Sequence, residues 1–238
     1  MRSFLFDQQN AEVEGDGLFV RQNSKMMKVE LDQGAVQALA GSMVAYQGDV
    51  QFEHQGSKDL GSFIKKKLTG EGLPLMRITG SGEVFLANAA GDVHIIDLEG
   101  DAVSINGANI LAYTDGLQSD IQRVQGAGMI AGGMFNTTLS GHGQVAIVTD
   151  GTPLILDTSQ APTFVDPDAA VCWSAGLQPQ LKTAFGMKML IGKDSGEEVQ
   201  LEFHGAGFVV VQPSENLRFG GQEAEQAESS GGLSNLFS

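Results

Sequence analysis

Four short glycine signatures divide this chain at nearly constant spacing. They read Gly15-Asp16-Gly17, Gly80-Ser81-Gly82, Gly141-His142-Gly143 and Gly205-Ala206-Gly207. Each opens into an apolar run, as in Val84-Phe85-Leu86 and Val145-Ala146-Ile147-Val148. The intervals are 65, 61 and 64 residues. A second marker keeps the rhythm. An aromatic residue in a small, apolar setting stands at Tyr46, Tyr113 and Trp173, which follow the preceding glycine pair by 31, 33 and 32 residues. Two markers held at one period imply a duplicated all-β unit used about three times, with residues 205–211 closing the set. The tripeptide Gly-Leu-Gln also recurs, at Gly116-Leu117-Gln118 and Gly176-Leu177-Gln178, at one offset from its aromatic. In both places glycine is expected to supply a positive-φ turn.

Composition narrows the class. Glycine accounts for 32 of 238 residues, too many for an ordinary domain and without the strict period of collagen. The 42% of hydrophobic residues is more than a disordered chain carries. A net charge of −15 repels nucleic-acid phosphate and anionic lipid, so neither is expected as a partner. One cysteine cannot make an intrachain disulfide, which suits a reducing compartment. The first ten residues lack a signal-peptide apolar core, and no apolar stretch is long enough to span a bilayer as a helix. These features predict a cytoplasmic protein.

Along the chain, residues 1–219 read as a single repeated all-β domain and 220–238 as a disordered acidic tail. Met26–Leu31 reads as a strand and Asp32-Gln33-Gly34 as a turn. Asp49–Glu53 alternates as a strand with one wet face should. A short helix is expected at 57–68, where Leu60, Phe63, Ile64 and Leu68 form one stripe and Lys65, Lys66 and Lys67 close the last turn. In the tail, Glu223, Glu225 and Glu228 precede a small apolar cluster of Leu233, Leu236 and Phe237, read as part of a flexible tail rather than a docking motif. Val84, Leu86, Val145, Ile147, Val209 and Val211 are expected to face the core with Tyr113 and Trp173, because alternate strand residues share a face. Tyr46 reads as core for the same reason, rather than as part of a stacking platform.

A search for chemistry assigns no catalytic residue, no cofactor-binding residue and no metal ligand. The Gly-x-Gly pairs open strands, not helices, so they read as turns or bulges rather than phosphate loops. His54, His94, His142 and His204 lack the spacing of a zinc site. Cys172 sits between Val171 and Trp173 as a buried small hydrophobe. Ser140, His142 and Asp150 have triad residue types but no readable oxyanion hole or oriented base.

Several segments nevertheless resemble one family in order. Val29–Gly34 with Ala40–Tyr46, Leu68–Leu86, Gly132–Ile147 and Phe203–Gln212 look like the motifs of the altered-inheritance-of-mitochondria family, also called the mitochondrial biogenesis family. The resemblance covers roughly residues 15–215. It implies β-sheet repeats of the tryptophan RNA-binding attenuator-like variant of the double-stranded β-helix, often assembled as homo-oligomers. It also implies, through the yeast member, a link to mitochondrial inner-membrane organisation. One departure is Gly192-Lys-Asp-Ser-Gly-Glu-Glu, which stands where a glycine motif is usual. The fold name carries no tryptophan or RNA binding with it.

The reading is therefore an all-β, non-enzymatic scaffold or protein-interaction module. It is expected to work as a homo-oligomer, with a trimer the leading stoichiometry and a further protein partner allowed. The alternatives are a small-molecule- or metal-binding β-helix module and a peripheral membrane organiser.

Overall fold

The structure is a computed structural model and describes residues 2–54, 74–124, 135–183 and 199–214. The helix expected at 57–68 and the tail beyond 220 lie outside the described residues.

Fifteen strands are described: β1 (Phe19–Asn23), β2 (Met26–Glu30), β3 (Val36–Leu39), β4 (Met43–His54), β5 (Leu75–Leu86), β6 (Asp92–Asn106), β7 (Ile110–Thr114), β8 (Gln118–Arg123), β9 (Phe135–Thr149), β10 (Leu154–Asp157), β11 (Thr163–Val165), β12 (Ala170–Ser174), β13 (Gln180–Thr183), β14 (Val199–Phe203) and β15 (Phe208–Val211). The described helical residues form single 3-10 turns, including Leu31–Gln33 after β2 and Gly107–Asn109 after β6. The fold is all-β, as its sequence pattern requires.

Twelve strands form one antiparallel sheet, in the order β1-β2-β5-β3-β7-β9-β6-β12-β15-β10, with β4 added on β5 and β8 on β9. β11, β14 and β13 form a smaller sheet. Long ladders dominate. β4 runs along β5 from Met43↔Leu86 to His54↔Met76, and β6 runs along β9 from Asp92↔Thr149 to Asn106↔Asn136. Closer to the C-terminus the corresponding ladder is split: β10 pairs β15 and β11 pairs β14.

The second and third glycine pairs lie within the long ladders. Gly80 and Gly82 are inside β5, and Gly141 and Gly143 are inside β9, so, of the expected turn or bulge, neither pair makes a turn between strands. Gly205 and Gly207 do lie in a bend, between β14 and β15. The reason for glycine in β5 is close approach. A Cβ on Gly80 would meet the Asp49 carbonyl oxygen at 2.1 Å, and one on Gly82 the Gln47 oxygen at 2.1 Å. Both have positive φ, +118° and +127°, a conformation side chains oppose. In the β6·β9 ladder the register instead slips by one between Glu99 and Asp101, so Gly100 is bulged opposite Gly141 and His142. Gly116 and Gly176 lie in turns as expected, yet neither has a positive φ.

Beside their long-ladder partners, β5 and β9 each pair two further strands in turn along their length. β5 pairs β3 through Leu75–Ile78 and β2 through Glu83–Leu86. β9 pairs β8 through its first half and β7 through its second. The long strands also stand as walls between successive cores. Val145 and Ile147 face a cluster with Ile105, Leu139 and Val171, while Ala146 and Val148 face one with Val36, Ile78 and Leu111. Val210 faces the former, and Val209 a third cluster with Trp173, Leu201 and Phe203. The expected core residues Val84, Leu86, Val145, Ile147, Val209, Tyr113 and Trp173 are buried, and Val211 is partly so. The residues between them are buried too, because both faces of these strands are covered. Two-sided burial is why they read as continuous apolar runs.

Candidate functional site

The segment before each long strand carries a feature that has no obvious mark in the sequence. In the β4·β5 ladder, register slips by one between Met43 and Ala45. The same slip occurs between Ile110 and Ala112 against β9, and between Ala170 and Cys172 against β15. The bulged residues are Val44, Leu111 and Val171. Two residues later the aromatic stands opposite a valine: Tyr46↔Val84, Tyr113↔Val145 and Trp173↔Val209. Each valine lies four residues beyond the first glycine of its pair.

Two of these bulged segments are docked on a preceding strand. β7 pairs β3 with Tyr113 opposite Gln37 and Ala112 opposite Ala38. β12 pairs β6 with Trp173 opposite Ser104 and Cys172 opposite Ile105. Leu111 and Val171 are fully buried there, Tyr113 and Trp173 nearly or wholly so. The N-terminal half of β4 has no such neighbour among the described residues. Val44 is 55% exposed and Tyr46 is 50% exposed, its ring edge meeting Phe52 at 5.5 Å. This corrects the reading of Tyr46 as a core residue: the aromatic is in place, but the strand that would cover it is not.

A complementary open strand stands near the other end of the chain. β11 pairs β14 on one side only among the described residues. Its central residue, Phe164, lies opposite Glu202, and Phe164 is 49% exposed. Gln37 and Ser104, which meet Tyr113 and Trp173, hold the matching place opposite Arg77 and Thr138 and are buried. Leu154 and Ile155 on β10 are also exposed. Exposed apolar side chains thus stand on edges that offer unpaired N–H and C=O groups, the combination that makes them a candidate surface.

Ion pairs brace the strands around these edges. Arg77 binds Asp115 through Nε at 2.9 Å and Nη2 at 2.8 Å, and Gln37 Nε2 donates to the other carboxylate oxygen at 2.7 Å. The Arg77 guanidinium holds the Asp115 carboxyl below its usual range. Lys28 is buried between Glu30 at 2.5 Å and Glu83 at 2.9 Å. Burial works against its charge, yet the two carboxylates raise its pKa overall. On the small sheet, Glu202 accepts from Lys182 and lies 2.9 Å from His204, and Lys182 also lies over the Phe164 ring. The Lys182 ammonium keeps the Glu202 carboxyl low.

The residue types weighed for chemistry are scattered. His94 Nε2 is 3.0 Å from Thr149 Oγ1, and that hydroxyl donates to the Gly151 carbonyl, so Nε2 carries the proton. Burial lowers the His94 pKa, with Arg21 acting in the same direction. His142 packs over Gly100, His204 is at the end of β14 and His54 at the end of β4. Among the described residues, no group of three or more His, Cys, Asp or Glu side chains is placed to hold a metal ion. Cys172 is buried, and burial pushes its thiol up to about 12. No described helix is long and apolar enough to cross a membrane. Lys65, Lys66, Lys67, Leu233, Leu236 and Phe237 lie outside the described residues.

The model of the family described as mitochondrial biogenesis AIM24 matches residues 19–214, a span from the start of β1 to beyond β15. The chain belongs to the AIM24 family. Its fold is similar to the crystal structure of protein SPYM3_0169 from Streptococcus pyogenes, with a TM-score of 0.65 at 22% identity, covering 82% of this chain and 92% of that one. No curated protein matches the chain. Within this AIM24 member, the open edges of β4 and β11 are the best-developed candidate for a functional surface.

Proposed function

We propose that this protein is a non-enzymatic scaffold, a protein-interaction module that works in the cytoplasm as a homo-oligomer of three chains. The observation that carries the reading is the pair of open, apolar sheet edges on β4 and β11. A 12-residue edge strand carrying Met43, Val44 and Tyr46 outward is an aggregation hazard unless a partner covers it. We read the three ladders as copies of one unit of the attenuator-like, double-stranded β-helix type. The coincidence of bulge, aromatic and glycine register supports that reading, as does membership of the family. Side chains spent on packing and on strand-bracing ion pairs fit a body whose task is to present surfaces.

Native mass spectrometry of the full chain, purified without chelator, tests this. The reading expects a mass of three chains with nothing else retained. A single chain at micromolar concentration overturns the oligomer. Stoichiometric metal or a co-purifying small molecule overturns the scaffold in favour of a ligand-binding β-helix module.

A further inference from the structure

The two strand junctions inside the chain define a rule. In each, a bulged strand carrying an aromatic docks antiparallel on an earlier strand, and the aromatic meets the residue that stands opposite the position three before the first glycine of the earlier ladder. Tyr113 meets Gln37, which is opposite Arg77, three residues before Gly80. Trp173 meets Ser104, which is opposite Thr138, three residues before Gly141. Applied once more, the rule pairs β4 with β11. Phe164 is opposite Glu202, three residues before Gly205. The register then sets Tyr46 against Phe164, Ala45 against Val165 and Gln47 against Thr163. Among the described residues β4 and β11 do not pair with each other, and neither has a second strand on its outer edge.

We propose that β4 of one copy pairs with β11 of a second copy in this register, extending the junction rule from chain to chain. This rests on the homo-oligomer reading and names its interface. Three observations support a second copy as the occupant. The edges are complementary by construction, since each is the half that the internal junctions show joined to the other. Their central side chains are about half exposed, whereas the equivalent residues in the internal junctions are at most 6% exposed. Small residues follow the bulge in both internal junctions, Ala112 and Cys172, and Ala45 matches them. Such a contact is head to tail, using different surfaces on the two copies, so it closes into a ring when its rotation permits.

The test is disulfide trapping in the full chain, using Tyr46→Cys and Phe164→Cys. Directly opposed residues of an antiparallel pair have Cα atoms about 4.5–5.5 Å apart, within disulfide reach. The buried Cys172 thiol does not compete. Co-expression of the two single variants is expected to give a linked pair at twice 25.1 kDa on a non-reducing gel, and neither variant alone should link. The double variant should give a ladder of higher multiples. A link formed by one single variant alone means a like-with-like interface and overturns the proposal. A monomer-sized linked product of the double variant means the edges close within one chain and also overturns it. No link in a protein whose native mass remains oligomeric sinks this junction while leaving the scaffold reading standing, whereas a monomeric native mass sinks both. As a second measurement, Phe164→Glu should lower the native mass to one chain with an unchanged circular dichroism spectrum. A Phe164→Glu protein that keeps the wild-type mass would contradict the pairing.

Discussion

Glycine at position 82 is required by two separable effects, and a series of alanine substitutions resolves them. Gly116 has nothing within 4 Å of a built Cβ and no positive φ, so Gly116→Ala should be neutral or stabilise by up to about 1 kcal/mol. Gly41 also has open space but a φ of +88°, so Gly41→Ala should cost the left-handed penalty alone, about 1–2 kcal/mol. Gly82 has a φ of +127° and a Cβ position 2.1 Å from the Gln47 carbonyl oxygen. Its backbone penalty is about 1–3 kcal/mol. Relieving the overlap moves β4 away from β5 and loses about two ladder hydrogen bonds at about 1 kcal/mol each. The expected sum is about 3–5 kcal/mol. Urea unfolding of the full chain at one fixed protein concentration reads all three, through the midpoint at constant slope. A Gly82→Ala protein no less stable than Gly41→Ala would refute the close-approach argument.

Other outcomes follow from the same contacts. Trp173 is fully buried with its ring edge toward Phe203 at 5.5 Å, so Trp173→Ala should lose about 3–5 kcal/mol in a urea titration, whereas Tyr46→Ala should leave single-chain stability within about 1 kcal/mol and weaken assembly instead. Lys28→Met strands two partly exposed carboxylates and should cost about 2 kcal/mol at neutral pH by thermal or urea unfolding. Because the Lys28 pKa is raised, its contribution is whole below about pH 10 and is lost as pH rises through the folded-state value, so the variant should lack that alkaline decline. His94 has a lowered pKa, so its contribution is present above about pH 6.5 and is lost as pH falls through the folded-state value. His94→Gln retains an N–H for Thr149 and should remove that part of the acid limb in a pH series of melting curves.

Much of this architecture was legible because its markers are steric. Glycine was needed where a Cβ would stand 2.1 Å from the facing strand's carbonyl oxygen, and no other residue substitutes there, so that pair stood out. The aromatics stood out because each fills the same place opposite a valine. The long strands were legible as strands and their glycines as turns or bulges, but a sequence does not distinguish a glycine within a strand from one between strands. The bulge at Val44, Leu111 and Val171 left only a faint trace, an apolar residue followed by a small one and an aromatic. Tyr46 misled for a different reason. Its local pattern matches that of Tyr113 and Trp173, and burial of a matching residue depends on a strand that none of the described residues places beside it. The Arg77–Asp115 and Lys182–Glu202 ion pairs join residues on different strands well apart in sequence, so no spacing announced them. The surface proposed for assembly became visible only when registers of separate ladders were compared.

Backbone hydrogen exchange at β4 and β11, followed against protein concentration, tests the central claim most directly. The N–H groups on the outer edge of 43–47 have no partner within one described chain, while those of β7 and β12 are paired on both sides. If a second copy completes the third junction, peptides covering 43–47 and 163–165 should be as protected as those of β7 and β12 at micromolar concentration, and should lose that protection together on dilution. Outer amides of β4 that exchange at the rate of an open edge at every concentration, beside fully protected β7 and β12, would contradict the account.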